Sequence, residues 1–292
     1  MALIKLMIEG AAAYLSLSLV MTYGVHRVPR RPVREEPDWG KLLDTRIQAA
    51  DGGSLEVWRV EPEGASRGTV VLAHGWSRNR DRMVGRARLF GHLGYTTLLH
   101  SARDHGESTP YRFMNAFRFA EDIEAVMDWA DEPVILYGHS AGAAGAVIAA
   151  HRRPERIRLL FLEGCYAHTR KALVNLYGNH IPYVGKVFAP AIVTWMHLFY
   201  RGRMDDVDPA RLAPDLDLPV LLIHGERDAA FPLEFARELR DAFPAGRGEL
   251  FVASGSDHSS SSLTPEYPTA IRAFLDRHDP ASSNAREYKG KG

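Results

Sequence analysis

Cysteine is almost absent from this sequence of 292 residues, since Cys165 is the only one. A single cysteine cannot form an internal disulfide, and no group of cysteines and histidines has the spacing of a structural zinc site. Excess charge is absent as well, because 36 Lys and Arg residues balance 36 Asp and Glu residues. A neutral chain argues against nucleic acid as a partner, since such proteins usually carry a basic surface.

Long apolar runs are scarce, and the one extended run lies at the N-terminus. Elsewhere the composition is that of an ordinary globular protein, with 46% hydrophobic and 25% charged residues. This composition excludes a disordered chain, a coiled coil, a collagen and a polytopic membrane protein. The length is ample for a buried core without disulfides or metals.

Residues 1–34 form a hydrophobic helix followed by a basic linker. Lys5 and Glu9 are the only charged residues before His26, and residues 10–25 carry none. This uncharged stretch is slightly shorter than the ~20 residues that span a bilayer. The arginine-rich stretch 26–34 favours a cytoplasmic location for the domain that follows. We expect a membrane-associated protein with a cytoplasmic catalytic domain.

Two alternatives to a membrane anchor remain open for this segment. The helix could lie on the domain of a soluble cytoplasmic protein, as an ordinary apolar helix. It could also be a cleaved signal peptide, although Glu9 and the lack of an A-x-A cleavage site disfavour that interpretation.

From residue 45 onward, short apolar runs alternate with stretches of helical periodicity. The predicted strands are 45–50, 55–60, 69–73, 95–100, 134–137, 157–162, 220–223 and 249–253. The predicted helices are 81–93, 115–130, 141–151, 233–242 and 265–277. Such alternation predicts an α/β fold with a mostly parallel sheet of about eight strands, flanked by helices. Asp51-Gly52-Gly53 is a hairpin signal that makes the first two strands antiparallel.

Residues 166–211 interrupt this alternation. They are rich in aromatic residues and lack a convincing strand, and Pro182 and Pro190 divide them into short helices. A structureless loop of this length is unusual in a compact domain, so we predict a helical lid over the carboxyl edge of the sheet. The main domain then covers 35–278, and 279–292 form a polar flexible tail.

The pentapeptide Gly138-His139-Ser140-Ala141-Gly142 has the form G-x-S-x-G. It follows a predicted strand and begins a predicted helix, which is the setting of a nucleophile elbow. Gly138 and Gly142 leave room for the sharp turn that presents the serine. Ser140 is therefore the predicted nucleophile.

A serine hydroxyl needs a base to remove its proton, and the base needs an acid to orient it. His258 follows the last predicted strand, and Asp228 follows the strand before it. This order of serine, acid and histidine is typical of hydrolases with such an elbow. Competing acids are Glu226, Asp257 and Glu163, of which Glu163 also ends a strand. His139 and His224 are expected to be structural and to point away from the site.

An oxyanion that forms on the substrate needs two hydrogen-bond donors. The backbone amide of Ala141, directly after the nucleophile, is the first predicted donor. The second should come from the loop after strand 69–73, which reads His74-Gly75-Trp76-Ser77. We predict the backbone amide of Trp76, whose side chain then lines the pocket.

Together these motifs resemble the α/β-hydrolase superfamily over residues 45–278. The sequence is similar to bacterial single-domain serine hydrolases of the monoacylglycerol-lipase-like or prolyl-peptidase-like kind. Such relatives often carry D-x-R-G-H-G-x-S, where this chain has Ser101 and Asp104 in place of the first Asp and Gly. The resemblance implies an α/β-hydrolase fold and hydrolysis of carboxylic esters without a cofactor or a metal.

The predicted function is ester hydrolysis through an acyl-enzyme on Ser140, with Asp228 and His258 completing the catalytic triad. The aromatic lid and the N-terminal helix favour small-molecule esters with medium or longer acyl chains. The same residues would also serve an amide, peptide or thioester hydrolase, or an acyltransferase. A different class of function, an inactive hydrolase-fold binding protein, would be favoured by a missing member of the triad, and none is missing.

Overall fold

The computed structural model describes residues 1–279, and nearly all of the predicted tail lies outside the described residues. Eight strands of the described chain form one sheet, in the order β1-β2-β4-β3-β5-β6-β7-β8. The strands are β1 (Lys41–Gln48), β2 (Ser54–Glu61), β3 (Thr69–Ala73), β4 (Thr96–His100), β5 (Val134–His139), β6 (Ile157–Glu163), β7 (Val220–Gly225) and β8 (Gly248–Ala253). β2 runs antiparallel to β1 and β4, and the other pairs are parallel. The predicted mostly parallel sheet is confirmed.

Helices cover the sheet and extend beyond it. They are α1 (Ala2–Val25), α2 (Val84–His92), α3 (Ala116–Ala130), α4 (Ala141–Arg152), α5 (Thr169–His180), α6 (Gly185–Phe199), α7 (Pro209–Leu212), α8 (Leu233–Ala242) and α9 (Tyr267–His278). The five predicted helices after residue 80 correspond to α2, α3, α4, α8 and α9. α3 shows why such helices begin where they do, because the side chain of Asn115 accepts a hydrogen bond from the Arg118 amide at 3.1 Å.

Both faces of the sheet are apolar. Alternate residues of a strand point to opposite sides, and apolar residues occupy both sets of positions. On one face, Val71 and Leu136 pack with α3, α4 and α8. On the other face, Leu72 and Ile135 pack with α2 and α9. The parallel strands therefore form a rigid support, and their carboxyl ends meet at one edge of the sheet.

α5 and α6 form a helical insertion between β6 and β7. Pro182 lies in the turn between the two helices, but Pro190 lies inside α6. The prediction that Pro190 ends a helix is therefore wrong. Proline removes one hydrogen bond of the helix interior, and α6 continues because its apolar face packs against both α1 and α5.

α1 is long and apolar enough to cross a membrane, judged by length and composition alone. Residues 2–13 are exposed, whereas one side of the rest of the helix, including Met21 and Val25, packs against α6. The hydroxyl of Tyr14 donates a hydrogen bond to the Val187 carbonyl at 2.8 Å, and Trp195 Nε1 donates to Ser18 Oγ at 2.9 Å. One half of α1 therefore belongs to the same helical layer as the insertion.

The basic linker after α1 lies on the α/β domain. Arg30 donates hydrogen bonds to the carbonyls of Gly106 at 3.1 Å and Ser108 at 2.9 Å. Asn79 Nδ2 donates to the Arg31 carbonyl at 2.9 Å. These contacts hold residues 26–34 against the loops that follow β3 and β4.

Candidate active site

Ser140 lies in a sharp turn between β5 and α4, with φ +55° and ψ −118°. Its amide donates a hydrogen bond to the Glu163 carbonyl at 2.8 Å. A Cβ atom on Gly138 would lie 2.5 Å from the Gly142 carbonyl oxygen, and one on Gly142 would lie 2.5 Å from the Ala73 oxygen. Only glycine tolerates such close approaches, so these two residues allow the turn that presents Ser140 to the cavity.

The loops after β5, β7 and β8 bring three predicted residues together at the carboxyl edge of the sheet. His258 Nε2 lies 2.9 Å from Ser140 Oγ, and His258 Nδ1 lies 2.7 Å from Asp228 Oδ2. A carboxylate only accepts hydrogen bonds, so Nδ1 of His258 carries the proton and Nε2 can accept from the serine hydroxyl. This is the geometry in which imidazole acts as a general base.

Asp228 is fixed by its own loop. Its side chain is fully buried, and Oδ1 accepts a hydrogen bond from the Phe231 amide at 2.8 Å. The other carboxylate oxygen is thereby directed at His258. The ring of Phe231 packs edge-on against the His258 imidazole, with 4.9 Å between the ring centroids. These contacts restrict the orientation of both side chains.

The structure does not bring the competing acids to the Nδ1 side of His258. Glu226 is occupied by the amide of Gly255 at 2.8 Å, and Asp257 accepts from the amide of Ser259 at 2.9 Å. Glu163 forms a two-point ion pair with Arg86, with both contacts at 2.6 Å. Each of these carboxylates has a different partner.

The Glu163–Arg86 pair lies under the elbow and is almost completely buried. Tyr137 also donates a hydrogen bond to Glu163, at 2.7 Å. Burial by itself would raise the pKa of Glu163, but the Arg86 guanidinium outweighs this effect and lowers the pKa to about 2. Because the Glu163 carbonyl accepts from the Ser140 amide, the pair stabilises the strand end on which the elbow rests.

Replacing Glu163 by glutamine is expected to lower the free energy of unfolding by about 3–5 kcal/mol at pH 7, because Arg86 is left buried without a counter-charge. The carboxylate is ionised in the folded chain down to about pH 2 and in the unfolded chain only above about pH 4.5. Its contribution is therefore complete above about pH 4.5 and is lost as the pH falls towards 2. The difference in free energy of unfolding between wild type and E163Q should decrease by about 2 kcal/mol from pH 7 to pH 3.

The measurement is urea unfolding of both proteins across this pH range. Asp241→Asn serves as the control, since Asp241 lies at the surface and forms an ion pair with its neighbour Arg240. A constant difference between wild type and E163Q at all pH values would contradict the assigned ionisation of Glu163.

The expectation that His139 and His224 point away from the site is wrong. His139 Nε2 lies 3.0 Å from the carbonyl of His258 itself, and His224 Nε2 lies 2.7 Å from the Phe231 carbonyl. A carbonyl only accepts, so both nitrogens donate. Burial lowers the pKa of His139 to about 3 and keeps the ring neutral. Both histidines hold the loops that carry His258 and Asp228. Their positions at strand ends were the sequence feature from which this role could have been predicted.

The loop after β3 lies beside the nucleophile. A Cβ atom on Gly75 would lie 2.9 Å from the Cβ of Ser140, so glycine is required at this position. Ser77, at φ +57°, donates its amide to His105 Nε2 at 3.1 Å. Within residues 1–279, the amides of Trp76 and Ala141 have no protein acceptor. Their assignment as oxyanion donors remains a prediction.

A cavity of about 140 Å³ opens beside Ser140 and is lined mainly by apolar side chains. Its walls come from the loop residue Trp76, from α5 and α6, and from Phe231. A larger groove of about 940 Å³ lies between the end of α1 and the loop 104–113, but its lining does not include Ser140. The smaller cavity is therefore the one that can receive a group attached to the nucleophile.

Among the described residues, no three or more His, Cys, Asp or Glu side chains are arranged to hold a metal ion.

Two family models match consecutive parts of the chain. The model described as serine aminopeptidase, S33, matches residues 64–205, and the model described as TAP-like protein matches residues 199–279. Together they span the sheet from β3 to β8, the insertion and the three strand-end loops.

Similar curated proteins and solved structures include lipases and an esterase. Lysophosphatidylserine lipase ABHD12 of Macaca fascicularis is 23% identical over 78% of this chain and 61% of its own length. This chain therefore spans less than two thirds of that relative. Monoacylglycerol lipase of Mycolicibacterium smegmatis is 24% identical over 70% of this chain and 84% of its own length. The Pyrococcus furiosus esterase Pf2001 superposes with a TM-score of 0.67 at 19% identity, covering 86% of this chain and 99% of the esterase.

Proposed function

We propose that this chain, which belongs to the α/β-hydrolase superfamily, is a serine hydrolase that cleaves carboxylic esters. The observation that carries the proposal is the continuous hydrogen-bonded series from Asp228 through His258 to Ser140, at 2.7 and 2.9 Å. Relatives described as lipases and esterases support a hydrolase of this general kind.

The proposed reaction proceeds through an acyl-enzyme. His258 Nε2 takes the proton of Ser140 as Oγ attacks the ester carbonyl, and Asp228 stabilises the imidazolium. The amides of Trp76 and Ala141 bind the oxyanion. His258 then gives its proton to the leaving alcohol. It next takes a proton from a water molecule, which attacks the acyl carbon. The bond from the acyl carbon to Oγ then breaks, the acid leaves, and His258 returns the proton to Ser140 Oγ.

The cavity supports an acyl group of limited length. Its volume of about 140 Å³ is close to that of an engineered apolar cavity of about 150 Å³ that holds one benzene ring. We therefore propose an acyl chain of about six carbons, at the short end of the medium range. Longer chains would require the α5–α6 insertion to move, so we propose that this insertion is a lid.

We also propose that α1 associates with a membrane and that the catalytic domain lies on its cytoplasmic side. Support comes from the exposed residues 2–13, which are apolar apart from Lys5, Glu9 and Gly10, and from the arginines of the linker 26–34. Full-length protein that stays soluble without detergent would contradict this proposal. In this division the chain consists of residues 1–34, the hydrolase domain at 35–278 with its lid, and a tail from 279.

A second candidate is amide or peptide cleavage, since one matching family model is described as a serine aminopeptidase. An enzyme that selects a free N-terminal amine needs a negative group near the nucleophile to bind it. The residues that line the cavity beside Ser140 include no Asp or Glu. Ester cleavage is therefore the better supported function.

A panel of p-nitrophenyl esters from acetate to dodecanoate tests the proposal. Aminoacyl p-nitroanilides, measured alongside, test the amide or peptide alternative. We expect kcat/KM to be highest near hexanoate and the anilides to be hydrolysed at least about 10²-fold more slowly, because amides are poorer substrates for acyl transfer. Hydrolysis of the anilides alone, or of neither series, would contradict ester hydrolysis as the function. A maximum at acetate would contradict the proposed chain length.

A further inference from the structure

Tyr200 connects the cavity wall to the N-terminal helix. It follows the last residue of α6, and its side chain lines the cavity beside Ser140. Its hydroxyl lies 2.7 Å from Nε2 of His26, the first residue after α1. A residue far away in the sequence, outside the hydrolase motifs, therefore contacts the wall of the acyl cavity through this hydrogen bond. The His26 ring also packs edge-on against Tyr200 and Trp76, with 6.0 and 6.5 Å between the ring centroids.

The direction of this hydrogen bond follows from the partners of His26. Nδ1 of His26 lies 2.7 Å from the Thr22 carbonyl, which can only accept, so Nδ1 carries a proton. Burial lowers the pKa of His26 and favours the neutral ring. A neutral imidazole has one N–H, so Nε2 must accept the proton of the Tyr200 hydroxyl. That hydroxyl also lies near the Met114 carbonyl, but at 3.4 Å.

α1 also supports the cavity wall by apolar packing. Met21 and Val25 of α1 pack in one cluster with Ile192 and Met196 of α6. Met196 lines the same cavity as Tyr200. The end of α1 therefore supports this wall in two ways, by packing behind α6 and by the hydrogen bond from Tyr200 to the residue that follows the helix.

We propose that Tyr200 limits how far an acyl chain extends from Ser140, and that His26 is the positioning residue that holds Tyr200 in place. The N-terminal helix thereby contributes to chain-length selectivity. This inference rests on the proposed ester hydrolysis. It assigns to the end of α1 a role in the acyl pocket that is separate from membrane association.

The test compares kcat/KM for p-nitrophenyl octanoate with that for hexanoate in the full-length protein. In Tyr200→Ala the cavity lengthens, and the octanoate-to-hexanoate ratio should rise about tenfold or more. In His26→Ala the Tyr200 ring loses its hydrogen bond, and the ratio should rise about three- to tenfold. The double variant should match Tyr200→Ala alone, because His26 acts through Tyr200.

Tyr14→Phe is the matched control. It removes another tyrosine hydroxyl from the same α1–α6 interface, and Tyr14 does not line the cavity. Its ratio should equal that of wild type. The rate of labelling of Ser140 by a fluorophosphonate should also stay within about twofold of wild type in Tyr14→Phe, since neither the triad nor the cavity lining is changed.

Several results would overturn the inference. They are an unchanged ratio in Tyr200→Ala or in His26→Ala, additive effects in the double variant, or an equal shift in Tyr14→Phe, which would indicate general loosening of the insertion. An inactive wild type on every ester would instead contradict the proposed function itself.

Discussion

Ser140→Ala is expected to lower kcat for p-nitrophenyl hexanoate by about 10⁴- to 10⁶-fold. The reason is that the variant has no atom that can form the acyl-enzyme, and residues of a triad act as a unit. The remaining rate would come from substrate binding and from the amides at the elbow. Steady-state kinetics of the purified full-length protein, with active-site titration to exclude contaminating enzyme, gives the measurement.

Folding should not change in this variant. The alanine would keep the backbone turn, and the amide that donates to the Glu163 carbonyl at 2.8 Å is retained. Circular dichroism and urea unfolding should match wild type within about 1 kcal/mol. A fluorophosphonate should label wild type and the control Ser254→Ala, whose hydroxyl is exposed and bound to Glu226, but not Ser140→Ala. Full esterase activity in Ser140→Ala would refute the proposed nucleophile.

Asp228→Asn is expected to lower kcat by about 10⁴-fold, the effect known for this change in a related constellation. The asparagine can keep the hydrogen bond from the Phe231 amide, which is 2.8 Å long with the native Asp228. Its amide nitrogen would then face His258 Nδ1 and favour the tautomer with the proton on Nε2. An imidazole in that tautomer cannot accept the proton of Ser140, and the negative charge that stabilises imidazolium is also lost.

Glu226→Gln is the matched control for this prediction. Glu226 lies in the same loop as Asp228 but is exposed and binds Ser254 and Gly255. Its kcat should stay within about twofold of wild type, as is usual for a surface substitution. If Asp228→Asn kept more than a tenth of the wild-type kcat, another carboxylate would have to orient His258.

Local sequence patterns predicted much of the fold. Eight short runs predicted eight strands near their observed places along the chain. The signal is clearest for β3 to β7, which are buried along almost their whole length, because strands buried on both faces must be apolar throughout. The elbow was readable since its glycines, strand and helix are contiguous in sequence. Even the departure at Asp104 has a structural counterpart, since Asp104 adopts φ +64° where relatives often have glycine.

The remaining features depend on contacts between residues that are distant in the sequence. From the sequence, Glu163 competed with Asp228 because both follow strands, and only the position of Arg86 on α2 shows that the Glu163 carboxylate is engaged elsewhere. The wrong prediction for His139 and His224 has the same origin. Their partners, the carbonyls of His258 and Phe231, come from other segments of the chain, and no spacing along the sequence reports them.

The sequence by itself therefore determined the sheet, the elbow and the order of the candidate triad, because apolar periodicity and turn residues act between near neighbours. It did not predict that Pro190 lies inside α6, or that His26 at the end of α1 holds Tyr200 at the cavity wall. Only the tertiary structure decided these features, since packing between segments distant in sequence can outweigh local preference and bring together side chains that carry no shared motif.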